Sequence, residues 1–400
     1  MSFNIWTDCP RVPITQLLEF IVDNRGKTVP TAPTGHKLIA TNCVTNNTLF
    51  PVYEKVRYLS DETYRTWFRA HPLPGDILFV NKGTPGRVCM VPDPVDFCIA
   101  QDMIALRADD SKIYNKYLFA VLRSSEIQKQ IYNTNVGDVI PHFKKQFMDQ
   151  LLIPVPEKKM QEAVGDLYYS LSYKIEHNKK INDNLQQQAV TIFHQWFGSN
   201  PESEKWPLVT LDRLTSLISR GIAPKYADDS TQIVLNQKCI RDHYIDTSLA
   251  RRHKPKVINE KWLQYGDLLI NSTGEGTLGR AAQVWFVPEN MTVDSHVTIV
   301  RPQSQRLLFY IGLWGISHER EIEALHTGST GQTELPRDRV KAMELRLPDN
   351  DTLTRFNAVI APIVSAIVVN QQENARLASV RDALLPKLMS GEIDVTDIAF

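Results

Sequence analysis

The sequence predicts an α+β chain made twice over: two similar mixed α/β domains separated by two long antiparallel helices and related by a pseudo-twofold axis. Three observations predict it. Gly75-Asp-Ile-Leu-Phe-Val-Asn-Lys-Gly-Thr-Pro-Gly-Arg87-Val returns in the second half as Gly266-Asp-Leu-Leu-Ile-Asn-Ser-Thr-Gly-Glu-Gly-Thr-Leu-Gly-Arg280-Ala. Each copy sits among short apolar runs broken by glycine, proline and polar turns, which is the pattern of strands. Each half then ends in one long stretch with apolar residues at three- and four-residue steps, which is the pattern of a helix.

Taken in order, Lys37-Leu-Ile-Ala, Asp76-Ile-Leu-Phe-Val, Arg87-Val-Cys-Met-Val and Asp96-Phe-Cys-Ile-Ala read as strands, and residues 111 to 132 as helix. After Pro154-Val-Pro156, Met160, Val164, Leu167, Leu171, Ile175, Ile181 and Leu185 mark the first long helix. Gln195 to Trp206 ends it, and the second domain follows, with Ser304 to His318 as its helical part. Phe356, Ile360, Ile363, Ile367, Leu377 and Leu384 mark the second long helix, with polar Asn178, Asn370 and Asn374 near the expected seam. A lone amphipathic helix cannot bury its own stripe, so the two are expected to pack on each other as a spacer. The expected boundaries are 1–156, 157–197, 198–348 and 349–400. Arg25-Gly26 is matched with Arg220-Gly221, and Ile140-Pro141 with Leu335-Pro336.

A chain of 400 residues with 42% hydrophobic and 22% charged residues is long enough for two domains and shows no compositional disorder. Lysine plus arginine equals aspartate plus glutamate at 45 each, so only local patches can argue for nucleic acid. Cys9, Cys43, Cys89, Cys98 and Cys239 form no CxxC pair, which reads as reduced structural thiols. The first residues do not read as a signal peptide and no run of 18 apolar residues occurs, so a cytoplasmic protein without membrane attachment is expected.

Gly274 to Gly279 satisfies GxGxxG, but Arg280-Ala-Ala-Gln-Val-Trp-Phe-Val-Pro288 continues as a strand, with no helix N-terminus to receive pyrophosphate. What the two copies share is a glycine-rich turn delivering an arginine between strands. One reading is a hairpin with arginine on its solvated face; the other sets Arg87 and Arg280, with Lys82 and Ser272, against a phosphate backbone or base edge. Arg251, Arg252, Lys254 and Lys256 form the densest basic cluster, expected in an exposed, mobile loop, and Lys27 and Lys225 follow the repeated Arg-Gly pairs. His318 and His326 bracket three glutamates without HExxH spacing, so no metal is expected. No catalytic constellation, Walker motif or base-methylating Asp/Asn-Pro-Pro-Tyr/Phe quartet is present, and no catalytic residue is assigned.

The ending Asn374-Ala-Arg-Leu-Ala-Ser-Val-Arg-Asp-Ala-Leu-Leu-Pro-Lys-Leu-Met-Ser-Gly391-Glu-Ile, together with the duplicated Gly266 to Arg280 pattern, resembles the specificity subunits of type I restriction-modification systems. The resemblance implies two target recognition domains, each reading half of a split, asymmetric site in double-stranded DNA. It implies a non-catalytic chain that binds no cofactor itself. Two modification subunits using S-adenosylmethionine, and restriction subunits using ATP and Mg2+, are its implied partners. They would dock around the helices, at Leu171, Ile175, Ile181, Leu185, Ile367, Leu377 and Leu384. The competing expectation is a two-headed protein scaffold without DNA specificity, with a nucleotide-dependent oxidoreductase third.

Overall fold

The computed structural model describes residues 4–24, 26–134, 141–274, 276–328 and 333–393. The chain divides into two compact units, Met1–Lys179 with Gln372–Phe400, and Lys180–Gln371. The expected boundaries follow the ends of the long helices, whereas packing divides both helices, because each end of a helix is buried in a different core.

In the first unit, an antiparallel sheet runs Leu18–Val22, Met103–Ala108, Ile77–Val80, Val88–Met90. Its side chains alternate between two cores. Ile77, Phe79, Ile104 and Leu106 face a cluster containing Tyr117 to Leu122 and Ile127, while Leu78, Val80, Met103 and Ala105 face Ile39, Cys43 and Phe97. A strand buried on both faces must be apolar throughout, which explains the uninterrupted Ile-Leu-Phe-Val. A smaller sheet, Arg57–Leu59, His36–Ile39, Phe97–Ile99, mixes one antiparallel and one parallel pairing. The stretch 111 to 132 resolves into two helices, Asn115–Leu122 and Ser125–Asn133, with Ser124 capping the second by accepting from the Ile127 amide.

The second unit repeats this topology. Its larger sheet runs Thr215–Arg220, Val297–Pro302, Leu268–Asn271, Ala281–Gln283, and its smaller one Arg251–Arg252, Ile233–Leu235, Met291–Val293. Even the irregularity between Leu18 and Phe20 recurs between Thr215 and Leu217. The expected helix at Ser304 to His318 is Leu308–Ser317.

Strand register corrects one sequence match. Val22 pairs with Ala105 and Ser219 with Ile299, so Asp23, not Arg25, occupies the position of Arg220. Arg25 itself and Ile140 lie outside the described residues.

The long helices are Lys158–Phe193 and Asn350–Ser390. In the first unit they run antiparallel: Asn178 donates to Glu373 at 2.6 Å and to Asn374 at 2.9 Å, and the Arg381 guanidinium lies 5.6 Å from the Tyr168 ring. Gly165 holds the first helix on its unit, since a Cβ there would meet the Tyr117 amide nitrogen at 2.6 Å. In the second unit, Asn182 donates to the Ile367 carbonyl and accepts from Asn370 at 2.8 Å. Asn350–Ser390 is apolar enough to cross a membrane by composition, with a mean hydropathy of 1.7, but its Phe356, Ile360 and Ile367 belong to the second core, and its Leu385, Leu388 and Met389 to the first.

Asn178 is fully buried and its Oδ1 has no partner. Such a seam asparagine costs stability and specifies register. Asn178→Leu is therefore expected to stabilise the first unit by about 1 kcal/mol while loosening helix register, read as a higher melting temperature with broadened resonances along the seam.

Candidate nucleic-acid interface

Both glycine-rich segments are the tips of hairpins in the larger sheets. Val80 donates to the Arg87 carbonyl and Gly86 to that of Val80; Asn271 donates to that of Arg280, and Gly279 to that of Asn271, all within 2.9–3.0 Å. Gly86 and Gly279 close the two turns at φ 88° and 86°, where a side chain would be strained. Each turn leads directly into a strand, so Gly274 to Gly279 offers no helix N-terminus to a pyrophosphate. Glu275 lies outside the described residues.

The hydrogen bonds set Lys82 opposite Thr273 rather than Ser272, because Lys82 bridges to His142 and Thr273 to Glu334. Ser272 matches Asn81 instead. It is fully buried, shares a hydrogen bond of 2.6 Å with Thr298, and accepts at its carbonyl from Leu335. The expectation that Ser272 faces a ligand is corrected accordingly: its hydroxyl is used inside the sheet. Arg87 is exposed, whereas Lys82 and Arg280 are half-buried.

The repeated Gly-Asp has a structural purpose that the sequence left unread. Asp76 receives Arg107 in a two-pronged pair, Nε and Nη2 each at 2.9 Å, and Asp267 receives Arg301 in the same way at 2.8 Å. Each carboxylate also accepts a backbone amide three residues upstream, from Leu73 and Gln264. Arg107 and Arg301 occupy matching positions on matching strands, and that pairing was the available signal.

Lys27 and Lys225 are exposed. Arg220 is committed within its unit, pairing with Glu334 and donating to the Leu335 carbonyl at 2.8 Å. Arg251, Arg252, Lys254 and Lys256 are all exposed, but their segment is not the mobile loop expected. It is ribbon: Arg251 and Arg252 pair with Val234 and Ile233, Tyr226 bridges to His253, and Lys254 donates its amide to the Lys225 carbonyl at 2.7 Å. The Arg251 guanidinium stacks 3.4 Å from the centroid of the exposed Tyr226 ring, a partner missed in the sequence.

Along the helices, Ile175 and Ile367 are buried, and Leu171, Ile181, Leu185, Leu377 and Leu384 half-buried. Ile175 and Ile367 therefore hold helices to their units, which corrects their expected role as a docking face. The apolar side chains these helices show to solvent are Tyr173, Val359, Val369 and Val380. All five cysteines are free and buried. Burial pushes the Cys98 thiol up to about 12 and Cys239 up to about 11, so neither is a nucleophile at neutral pH. Among the described residues no three His, Cys, Asp or Glu side chains gather as a metal site.

Residues 31–187 match the family model described as the type I restriction modification DNA specificity domain. The chain is 22% identical over 353 residues to the specificity subunit of the type I restriction enzyme MjaIX of Methanocaldococcus jannaschii, covering 81% of this chain and 79% of that one. It is 21% identical to the HindI specificity subunit of Haemophilus influenzae, covering 80% and 86%. The fold matches the crystal structure of a type I restriction-modification S subunit from M. genitalium, with TM-score 0.57, 13% identity and 96% of both chains covered.

Proposed function

This chain is related to the specificity subunits of type I restriction-modification systems, and from that kinship we infer that it reads DNA and leaves the chemistry to other chains. The observation that carries the reading is the duplication: each unit presents the same larger sheet, ending in a hairpin that delivers Arg87 or Arg280. Two related readers on one chain suit a bipartite site. Their turns differ, Gly83 to Gly86 in one and the longer Gly274 to Gly279 in the other, which suits unlike half-sites, since base edges are told apart by particular donors and acceptors.

On this reading the long helices are spacers and partner-binding elements, engaging two adenine-methylating modification subunits and, in the restricting assembly, ATP-dependent restriction subunits. S-adenosylmethionine, ATP and Mg2+ belong to those partners, and the assembly works in the cytoplasm.

The test is purification from the native host at low salt, with mass spectrometric stoichiometry of the associated chains, followed by genome-wide mapping of adenine methylation in cells with and without this gene. Recovery of a methyltransferase in two copies, and loss of one split methylated motif on deletion, is expected. Unrelated partners with an unchanged methylation map would overturn the reading in favour of a protein scaffold.

A further inference from the structure

Superposing the smaller sheets by register sets Arg251 on Arg57, Arg252 on Tyr58 and His253 on Leu59, because Val234 and Leu38 hold matching places beside Val293-matched and Ile99-matched strands. Ala32 donates to the Tyr58 carbonyl as Ala227 does to that of Arg252, so the ribbons are equivalent down to their incoming strands. Their charges are not equivalent. From Arg251 to Ile258 the second unit carries Arg251, Arg252, Lys254 and Lys256 with no carboxylate. Over the matching stretch the first unit has Arg57, then Asp61 and Glu62, which open a helix, Asp61–Thr66, capped by Ser60. There His36 pairs with Asp61 at 2.7 Å and Lys37 with Asp96 at 2.5 Å.

The cations of the second ribbon are available and held. Lys225, Lys254 and Lys256 make no ion pair among the described residues. The backbone beneath them is fixed from two sides: Lys254 donates to Lys225, and Lys256 exchanges two hydrogen bonds with the Gln232 amide side chain, at 2.9 and 3.1 Å. His253, 1% exposed, anchors the turn between them. A pre-formed ribbon loses little backbone freedom on binding, so its charge acts at full effect on a polyanion. Extended backbone turns alternate side chains to opposite faces, so Lys254 and Lys256, two residues apart, share one face.

We propose that the ribbon of Lys225, Arg251, Arg252, Lys254 and Lys256 is the chain's sequence-independent phosphate clamp, and that it carries more of the salt dependence of DNA binding than the matching ribbon of the first unit. The proposal rests on the DNA-reading function above and adds an asymmetry to it: the second unit holds the duplex wherever it lands, and the first discriminates with little background affinity. Arg251, stacked on Tyr226, keeps the ribbon's leading edge in place for that contact.

The test uses the full chain in complex with its modification subunits and measures affinity for a random-sequence duplex between about 50 and 200 mM salt. Each phosphate contact contributes about 0.9 to the slope of log affinity against log salt, so Lys254→Gln with Lys256→Gln is expected to lower the slope by about 1.8. That makes the variant about tenfold less salt-sensitive across the range, and adding Lys225→Gln takes off about 0.9 more. The loss should be the same on any sequence, because phosphate contacts carry no sequence information. The first-unit pair Lys55→Gln with Arg57→Gln is expected to change the slope by less than about 0.5. An unchanged slope in the folded second-unit variant, or equal losses from both units, overturns the clamp. Absence of any duplex binding by the unaltered complex instead overturns the DNA-reading function itself.

Discussion

Deleting Gln372–Phe400 is expected to unfold the N-terminal unit while leaving Lys180–Gln371 folded. Leu385, Leu388 and Met389 are 6%, 4% and 0% exposed and sit in the first core with Tyr168, Val164 and Ile153. Each contributes roughly 1.5–3 kcal/mol through burial, and together they rival the whole stability of an ordinary domain. The deletion also leaves buried Asn178 without Glu373 and Asn374, its only hydrogen-bond acceptors. The second unit keeps its own helix segment, with Phe356, Ile360 and Ile367 in place. Limited proteolysis checks this: the expected product is a resistant fragment beginning near Lys180, and a resistant N-terminal fragment would contradict it.

The second large effect lies in the repeated ion pair. Asp267→Ala is expected to destabilise the second unit by about 3–5 kcal/mol, because it strands the Arg301 guanidinium in a buried position. Asp267 is 1% exposed and the Arg301 side chain 11%. Burial lifts the Asp267 carboxyl above its ordinary range against the opposing pull of Arg301, so the pair is costly to desolvate. Asp267→Ala with Arg301→Met should accordingly recover much of the loss, since no unpaired charge then remains. Asp76→Ala should cost less, because the Arg107 side chain is 24% exposed and water can replace its partner. Urea unfolding of the three variants gives the comparison, and a double variant no more stable than Asp267→Ala alone would refute the desolvation argument.

The duplication, both long helices and the main strands of the larger sheets were legible in the sequence because each is written in neighbouring residues. Ile77–Val80 and Leu268–Asn271 announce themselves as apolar runs between glycines, and the helices by their recurring apolar steps. Leu18–Val22 and Met103–Ala108 carried no comparable boundary signal and were not read. Among candidate site residues, the exposed cations Lys27, Arg87, Lys225, Arg251, Arg252, Lys254 and Lys256 stand on the surface, where charge alone would place them. Ser272 does not, because a hydroxyl is as readily satisfied inside a sheet as outside it, and local sequence cannot tell which.

The sequence by itself determined that this protein is two versions of one α+β unit with a helix after each, since periodicity and turn chemistry are local and survive in a linear reading. Only the tertiary structure decided that the last helix completes the first unit, that Asp76 and Asp267 serve distant arginines, and that the basic cluster is a held ribbon. These depend on which residues far apart in the chain meet, and that choice is made by burial and hydrogen-bond pairing across strands, which no short stretch of sequence encodes.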